Sequence, residues 1–385
     1  MQNSPKKIRS ILLVSFLFFA HFSVVMYINS TAVERFVGAE YTSLFYVLGA
    51  TGSILLLFVL PLIIQRVGLV RVSLAIFLLL AITLIGLGTL TTPIAFITMF
   101  VLYTALTSTV WYCTDLFIAH YTQSATAGRT HGLYLTVINT AIALMPVLAG
   151  LIVTYTGIAS VYIVAAVLLF IAFLILGYSQ RNFVDHTYTE TTIGSAWNVI
   201  RQSPPLRRIL SINFLMEFFY AWMTIFTPLY MSLVLHFSWT QIGAVFSFML
   251  LPFMLIQYKV GTLADKLGEK KMLLFGLAIA GISTIAFALL GQYTHSIYFY
   301  ALVLFCTRVG MCMVEVLSES YFFKRINDQD EAIVSVYRMM RPLAYIVAPL
   351  AGWYIISTAS YITLFVILGA LLLLGMFYAF RLSAE

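Results

Sequence analysis

The chain has 385 residues, 62% of them hydrophobic and 9% charged, with a mean hydropathy of +1.00. Soluble domains sit nearer about 45–50% apolar and about 25% charged, so water is excluded as the main solvent. The net charge of +7 does not point to nucleic acid, because no basic patch is interleaved with aromatic residues on a polar stretch.

Apolar runs of about 20 residues are long enough to cross a hydrocarbon core of about 30 Å. Marking each run by its polar or turn-forming flanks predicts twelve: 10–32, 41–64, 70–91, 95–121, 131–155, 158–179, 209–235, 239–263, 272–291, 296–322, 333–356 and 359–380. Each is expected to be a helix, since an isolated strand in lipid leaves its backbone polar groups unpaired. Lys6, Lys7 and Arg9 before the first run imitate a signal peptide. The run to about Ile28 is too long for an h-region and no A-x-A site closes it, so an uncleaved first span is expected. The stretch 180–208 is polar, contains Pro204 and Pro205, and joins two halves. The expected organisation is a six-helix half at 1–180, a cytoplasmic linker at 181–208 and a second six-helix half at 209–385. "SWTQ" at Ser238–Gln241 has the spacing of a capping box and starts the eighth span. Cys113, Cys306 and Cys312 suit neither a disulfide framework nor a metal site, and no cofactor is expected.

Orientation follows from Lys and Arg. With the N-terminus inside, sixteen of the twenty-one fall on cytoplasmic segments and only Arg35 falls outside. Lys259, Arg308, Arg338 and Arg341 lie within spans; Lys259 is near enough to the surface to snorkel. This asymmetry places both termini in the cytoplasm of a multi-pass protein of the plasma (inner) membrane.

The loop after span 2 reads "PLIIQRVGLVR" (61–71), and the loop after span 8 reads "GTLADKLGEKK" (261–271). Offset by 200 residues, Gly68 matches Gly268 and Arg66 matches Lys266. "PVLAG" (146–150) in span 5 echoes "PLAG" (349–352) in span 11. Duplicated halves are common among secondary transporters. Gly268 permits a turn at positive φ, Gly261 allows a close helix approach, and Asp265 can accept hydrogen bonds from a helix N-terminus. With Lys266, Lys270 and Lys271 these residues would form a conformational latch, or simply a basic turn that sets topology.

"GTLADKLGEKK" resembles the G-x-L-a-D-[RK]-x-G-[RK]-[RK] signature of the major facilitator superfamily, which recurs after spans 2 and 8. In the first copy Pro61 and Gln65 replace its glycine and aspartate. The resemblance implies an all-α membrane protein with twelve transmembrane helices in two pseudo-symmetric six-helix halves. It also implies a central cavity lined mainly by spans 1, 4, 7 and 10 that opens alternately to each side.

Three charges interrupt the tenth span, "TRVGMCMVEVLSES" (307–320). Arg308, Glu315 and Glu319 share one helix face, and charges at such depth cost a few kcal/mol unless paired or wetted. If the loop near 328 is the tip of a hairpin, Glu315 is level with Arg341 and Glu319 with Arg338, so two interhelical ion pairs are expected. Arg308 then remains as a cation available to an anionic group. Other candidates for substrate contact or proton coupling are Glu217, with Tyr220 and Trp222 nearby, and Asp115, below Thr104, Ser108 and Trp111. A carboxyl group that alternates between wet and dry surroundings can take up and release a proton. Asp115 would serve equally as a helix-end residue reaching headgroup water. His21 and Asn29 lie on span 1; for His21 a packing role and a ligand role both stay open. Asn29–Thr31 matches a glycosylation sequon but abuts the membrane.

Together with this resemblance, the residues lead to the expectation of a monomeric, non-enzymatic secondary transporter of a small organic solute, coupled to protons. The span 5 residues Ala141, Met145, Pro146, Ala149 and Gly150 keep only the proline and last glycine of the exporters' G-x-x-x-G-P-x-x-G-G. Glu319 and Arg325 match the sugar facilitators' E-x(6)-R only loosely. Export of amphipathic compounds is preferred on the aromatic content of the expected cavity. The alternatives are import of an anionic solute held by Arg308, or a non-transporting receptor or assembly factor on the same scaffold.

Overall fold

A computed structural model describes residues 5–121, 127–183, 193–325 and 331–382. The described residues form fifteen α-helices and no β-strand. The chain divides into two compact units, Met1–Thr189 with Ser238–Ser247, and Glu190–Phe237 with Phe248–Glu385.

The first unit contains α1 (Pro5–Met26), α2 (Asn29–Val37), α3 (Ala39–Val67), α4 (Leu69–Thr89), α5 (Pro93–Tyr121), α6 (Ala127–Thr156) and α7 (Ile158–Ser179). The first expected span, 10–32, is therefore interrupted. Helix α1 closes with a tight turn in which the Ile28 N–H bonds to the Val25 carbonyl at 3.0 Å, and α2 begins at Asn29. The second unit contains α8 (Ile193–Gln202), α9 (Pro204–Leu229), α10 (Trp239–Leu255), α11 (Gln257–Leu267), α12 (Glu269–Leu289), α13 (Ile297–Phe323), α14 (Glu331–Thr358) and α15 (Tyr361–Phe380). The start of α10, to Ser247, groups with the first unit.

Eleven of these helices are long and apolar enough to cross a membrane; α10, at 17 residues, is shorter. The expected eighth span, 239–263, is divided at Ile256 into α10 and α11. Pro252 lies one turn before the break; it lacks an N–H and its ring crowds the carbonyl four residues back. Pro228 marks a similar disturbance, after which Tyr230–Val234 widens into a π-turn and Leu235 N–H bonds to the Tyr230 carbonyl at 3.0 Å. At the other end of α9, Pro204 and Pro205 occupy first-turn positions, where a missing N–H costs nothing. The expected capping box is present: the Ser238 N–H donates to Gln241 Oε1 (2.9 Å) and the Gln241 N–H donates to Ser238 Oγ (3.3 Å).

The two units repeat the same helix pairings internally. In the first, α4 packs on α7, α1 on α6 and α7, and α3 and α4 on α5. In the second, α12 packs on α15, α9 on α14 and α15, and α11 and α12 on α13. The corresponding turns agree as well. Gly68 (φ +96°) joins α3 to α4 and Gly268 (φ +86°) joins α11 to α12, each closing the preceding helix with an N–H bond to the residue four before it. A side chain rarely adopts such a backbone. Outward-facing Ile82, Leu174 and Leu374 are 51%, 52% and 66% exposed, a surface suited to acyl chains rather than water. The chain is a multi-pass integral membrane protein.

Candidate functional site

Three helices of the second unit bring one polar stripe each to a shared centre. On α9, Asn213, Glu217 and Tyr220 recur at four and three residues, so they lie on one face. Helix α14 presents Tyr337, Arg341 and Tyr345 at the same helical spacing, and α13 presents Arg308, Glu315 and Ser318. One end of this stripe is tied by neutral hydrogen bonds. The Asn213 amide donates to the Tyr337 carbonyl at 3.1 Å, Ser318 Oγ lies 3.5 Å from the Tyr337 hydroxyl, and the Tyr337 ring stacks on Phe322.

Charges gather one turn deeper. Arg341 Nε lies 3.8 Å from Glu217 Oε2, with side chains 32% and 14% exposed. That separation is an ion pair but too long for a hydrogen bond, and Glu217 Oε2 accepts none. The Tyr220 hydroxyl donates to Glu315 Oε2 at 2.6 Å. Glu315 is also within electrostatic reach of Arg341, Arg308 and Glu319. Arg308 is buried, 1% exposed. Its guanidinium carbon lies 5.1 Å from the Phe219 ring centroid and 5.5 Å from that of Tyr220, close enough for cation–π attraction. Its Nε has no hydrogen-bond partner.

The expected residues are thus distributed unevenly. Glu217, Tyr220, Arg308, Glu315 and Arg341 come together, with Arg341 Nε 3.8 Å from Glu217 Oε2 and Glu315 within electrostatic reach of the same arginine. Neither Glu319 nor Arg338 is without an interaction; the hairpin tip near 328 lies outside the described residues. Trp222, also on α9, is buried with its indole N–H bonded to the Ala348 carbonyl and its ring on Phe218, and neither contact joins it to the charged group. Asn213, Tyr337 and Tyr345 were missed by sequence reasoning, although the four-residue spacing of Tyr337, Arg341 and Tyr345 was there to read.

In the first unit, His21 Nδ1 lies against the Phe18 carbonyl and Nε2 is 3.4 Å from the Tyr103 hydroxyl, with the ring fully buried. Asn29 Oδ1 accepts the Tyr162 hydroxyl at 3.0 Å. Trp111 packs on Phe19 and Phe22, giving α1 and α5 a common aromatic face. Asp115 Oδ1 accepts the Tyr134 hydroxyl of α6 at 3.2 Å. The hydroxyls above it face α3: Ser108 donates to Ser53 Oγ, and Ser53 donates to the Thr104 carbonyl.

At the repeated turn, the side chains of Asp265 and Lys266 lie outside the described residues. A methyl group on Gly261 would meet Val316 only at ordinary contact distance, 3.9 Å, so this position does not require glycine for closeness. Lys270 Nζ sits 5.0 Å from the Phe380 ring centroid, and Lys271 is exposed. One polar contact here was not anticipated: buried Glu269 pairs with Lys324 at 3.0 Å and accepts the Ser320 hydroxyl.

Among the described residues, no group of three or more His, Cys, Asp or Glu is placed to hold a metal ion. Several solved structures share the fold. A POT family transporter in complex with 5-aminolevulinic acid is 12% identical, with a TM-score of 0.81 over 98% of this chain and 96% of that one. An auto-inhibited POT family peptide transporter is 12% identical, with a TM-score of 0.79 over 98% and 97%. The POT family transporter PepTSo is 13% identical, with a TM-score of 0.75 over 98% and 97%. No curated protein sequence matches the chain. The family model for the Major Facilitator Superfamily matches residues 11–335; with its apolar helices and repeated helix pairings, the chain belongs to the major facilitator superfamily of secondary transporters.

Proposed function

We propose that the chain moves a small organic solute by alternating access, coupled to protons that Glu217 and Glu315 take up and release. One observation carries this reading: two carboxyl groups sit inside the membrane-spanning helices with exchangeable partners rather than closed ion pairs. Glu217 faces Arg341 at 3.8 Å without a hydrogen bond, and Glu315 is held by a neutral tyrosine hydroxyl. Removing one partner of a locked buried pair strands the other charge; the looser arrangement lets a carboxyl group gain a proton while Arg341 stays partly solvated. The aromatic face of Phe19, Phe22 and Trp111 supports an amphipathic solute, and export is the direction we assign.

A second reading, import of an anionic solute, is favoured by Arg308, which is buried with its Nε unpartnered. In either case the chain acts as a monomer in the plasma membrane with both termini in the cytoplasm. Thermal unfolding of the purified protein against a metabolite and drug panel tests the proposal when repeated with Glu217→Gln and Arg308→Ala. A stabilising amphipathic compound supports the first reading. A stabilising anion whose effect disappears in Arg308→Ala supports the second. The absence of any stabilising compound contradicts both.

A further inference from the structure

The interruption of the first span leaves donors where lipid-embedded chains seldom tolerate them. The first N–H groups of a helix have no intrahelical acceptor, and no side chain caps the start of α2. The first bond that α2 makes runs from the Ala32 N–H to the Ile28 carbonyl. Asn29, Ser30 and Thr31 head the helix, and they are 7%, 0% and 4% exposed. The hydroxyls of Ser30 and Thr31 are buried and have no hydrogen-bond partner. Side chains on a helix lean toward its N-terminus, so both hydroxyls lean toward the same uncapped turn. Asn29 is fixed beside them by the Tyr162 hydroxyl. Irregular backbone at membrane depth persists only where protein or a polar cavity receives it.

We propose that the start of α2 is a binding site for a carboxylate group. The N–H groups and the positive end of the helix dipole favour an anion, and Ser30 and Thr31 supply two further donors. Arg9 and Met26 lie about 25 Å apart along α1 at 1.5 Å per residue, so the start of α2 lies toward the membrane face opposite the basic N-terminus. It lies wholly within the first unit and does not depend on the acids and arginines of α9, α13 and α14.

The test is thermal unfolding of the purified full chain in sodium acetate, benzoate or succinate against sodium chloride at equal ionic strength. At least one carboxylate is expected to raise the midpoint by about 2 °C or more in the parent and in Arg308→Ala. The shift should disappear in the Ser30→Ala/Thr31→Val double variant and persist in Thr31→Ser. Asn29→Asp, which places an anion at the same helix end, should fold stably and lose the shift. Equal shifts in the double variant or in Asn29→Asp overturn the site, as does no shift with any carboxylate. A shift lost only in Arg308→Ala assigns the carboxylate to Arg308 and overturns the site at α2.

Discussion

Tyr220 gives its hydroxyl to Glu315 and its ring face to Arg308. The hydrogen bond to Glu315 Oε2 measures 2.6 Å, and the Arg308 guanidinium lies 5.5 Å from the ring centroid. One neutral side chain of α9 thus links an acid and a base that both reside on α13, seven residues apart.

Tyr220→Phe separates the two roles, because it keeps the ring and removes the donor. Losing a hydrogen bond to a charged group costs about 1–3 kcal/mol. Thermal unfolding should show that loss, with larger destabilisation in Tyr220→Ala, where Arg308 also loses its aromatic support. Equal midpoints for Tyr220→Phe and the parent would show that the hydroxyl contributes nothing.

Arg341→Ala should destabilise the protein by about 1–3 kcal/mol, discounted from the buried-pair range of about 3–5 because Arg341 is partly exposed. The double variant Glu217→Gln/Arg341→Ala should recover part of that loss, since it leaves no uncompensated carboxylate. A double-mutant cycle on unfolding midpoints measures the coupling. Strict additivity would mean that the 3.8 Å separation reports proximity without interaction.

Gly68→Ala and Gly268→Ala should each cost roughly 1–3 kcal/mol, because both turns use a backbone region that residues with a Cβ enter under strain. Nothing lies within 4 Å of the Cβ position at Gly268, so the cost there is conformational rather than steric. Gly261→Ala, which meets only an ordinary contact with Val316, should be nearly neutral. Unfolding midpoints of the three variants check the ranking.

Much of the architecture is legible in the sequence because solvation by lipid writes it there. Apolar runs mark the helices, and the turn at Gly268 announces itself by needing a residue without a side chain. The breaks are harder. Pro252 warns of the division at Ile256, but Tyr27 and Ile28 are ordinary helix residues, and nothing local marks the interruption between α1 and α2. The members of the site are legible, but the pairing of Glu217 with Arg341 is not. Reasoning from a hairpin can place α13 beside α14, the next helix in the chain. It cannot see that α9, more than a hundred residues earlier, lays Glu217 against Arg341. Glu269 was hidden for a similar reason, since its partners Ser320 and Lys324 lie at the far end of another helix.

The most direct measurement is proton movement in proteoliposomes that enclose a pH-sensitive dye, driven by a gradient of a solute selected by thermal shift. The parent protein should move protons together with solute. Glu217→Gln should exchange labelled solute at a rate close to the parent's while proton movement falls at least about tenfold, an effect equivalent to about 1.4 kcal/mol. Proton movement in Glu217→Gln equal to that of the parent would contradict the account.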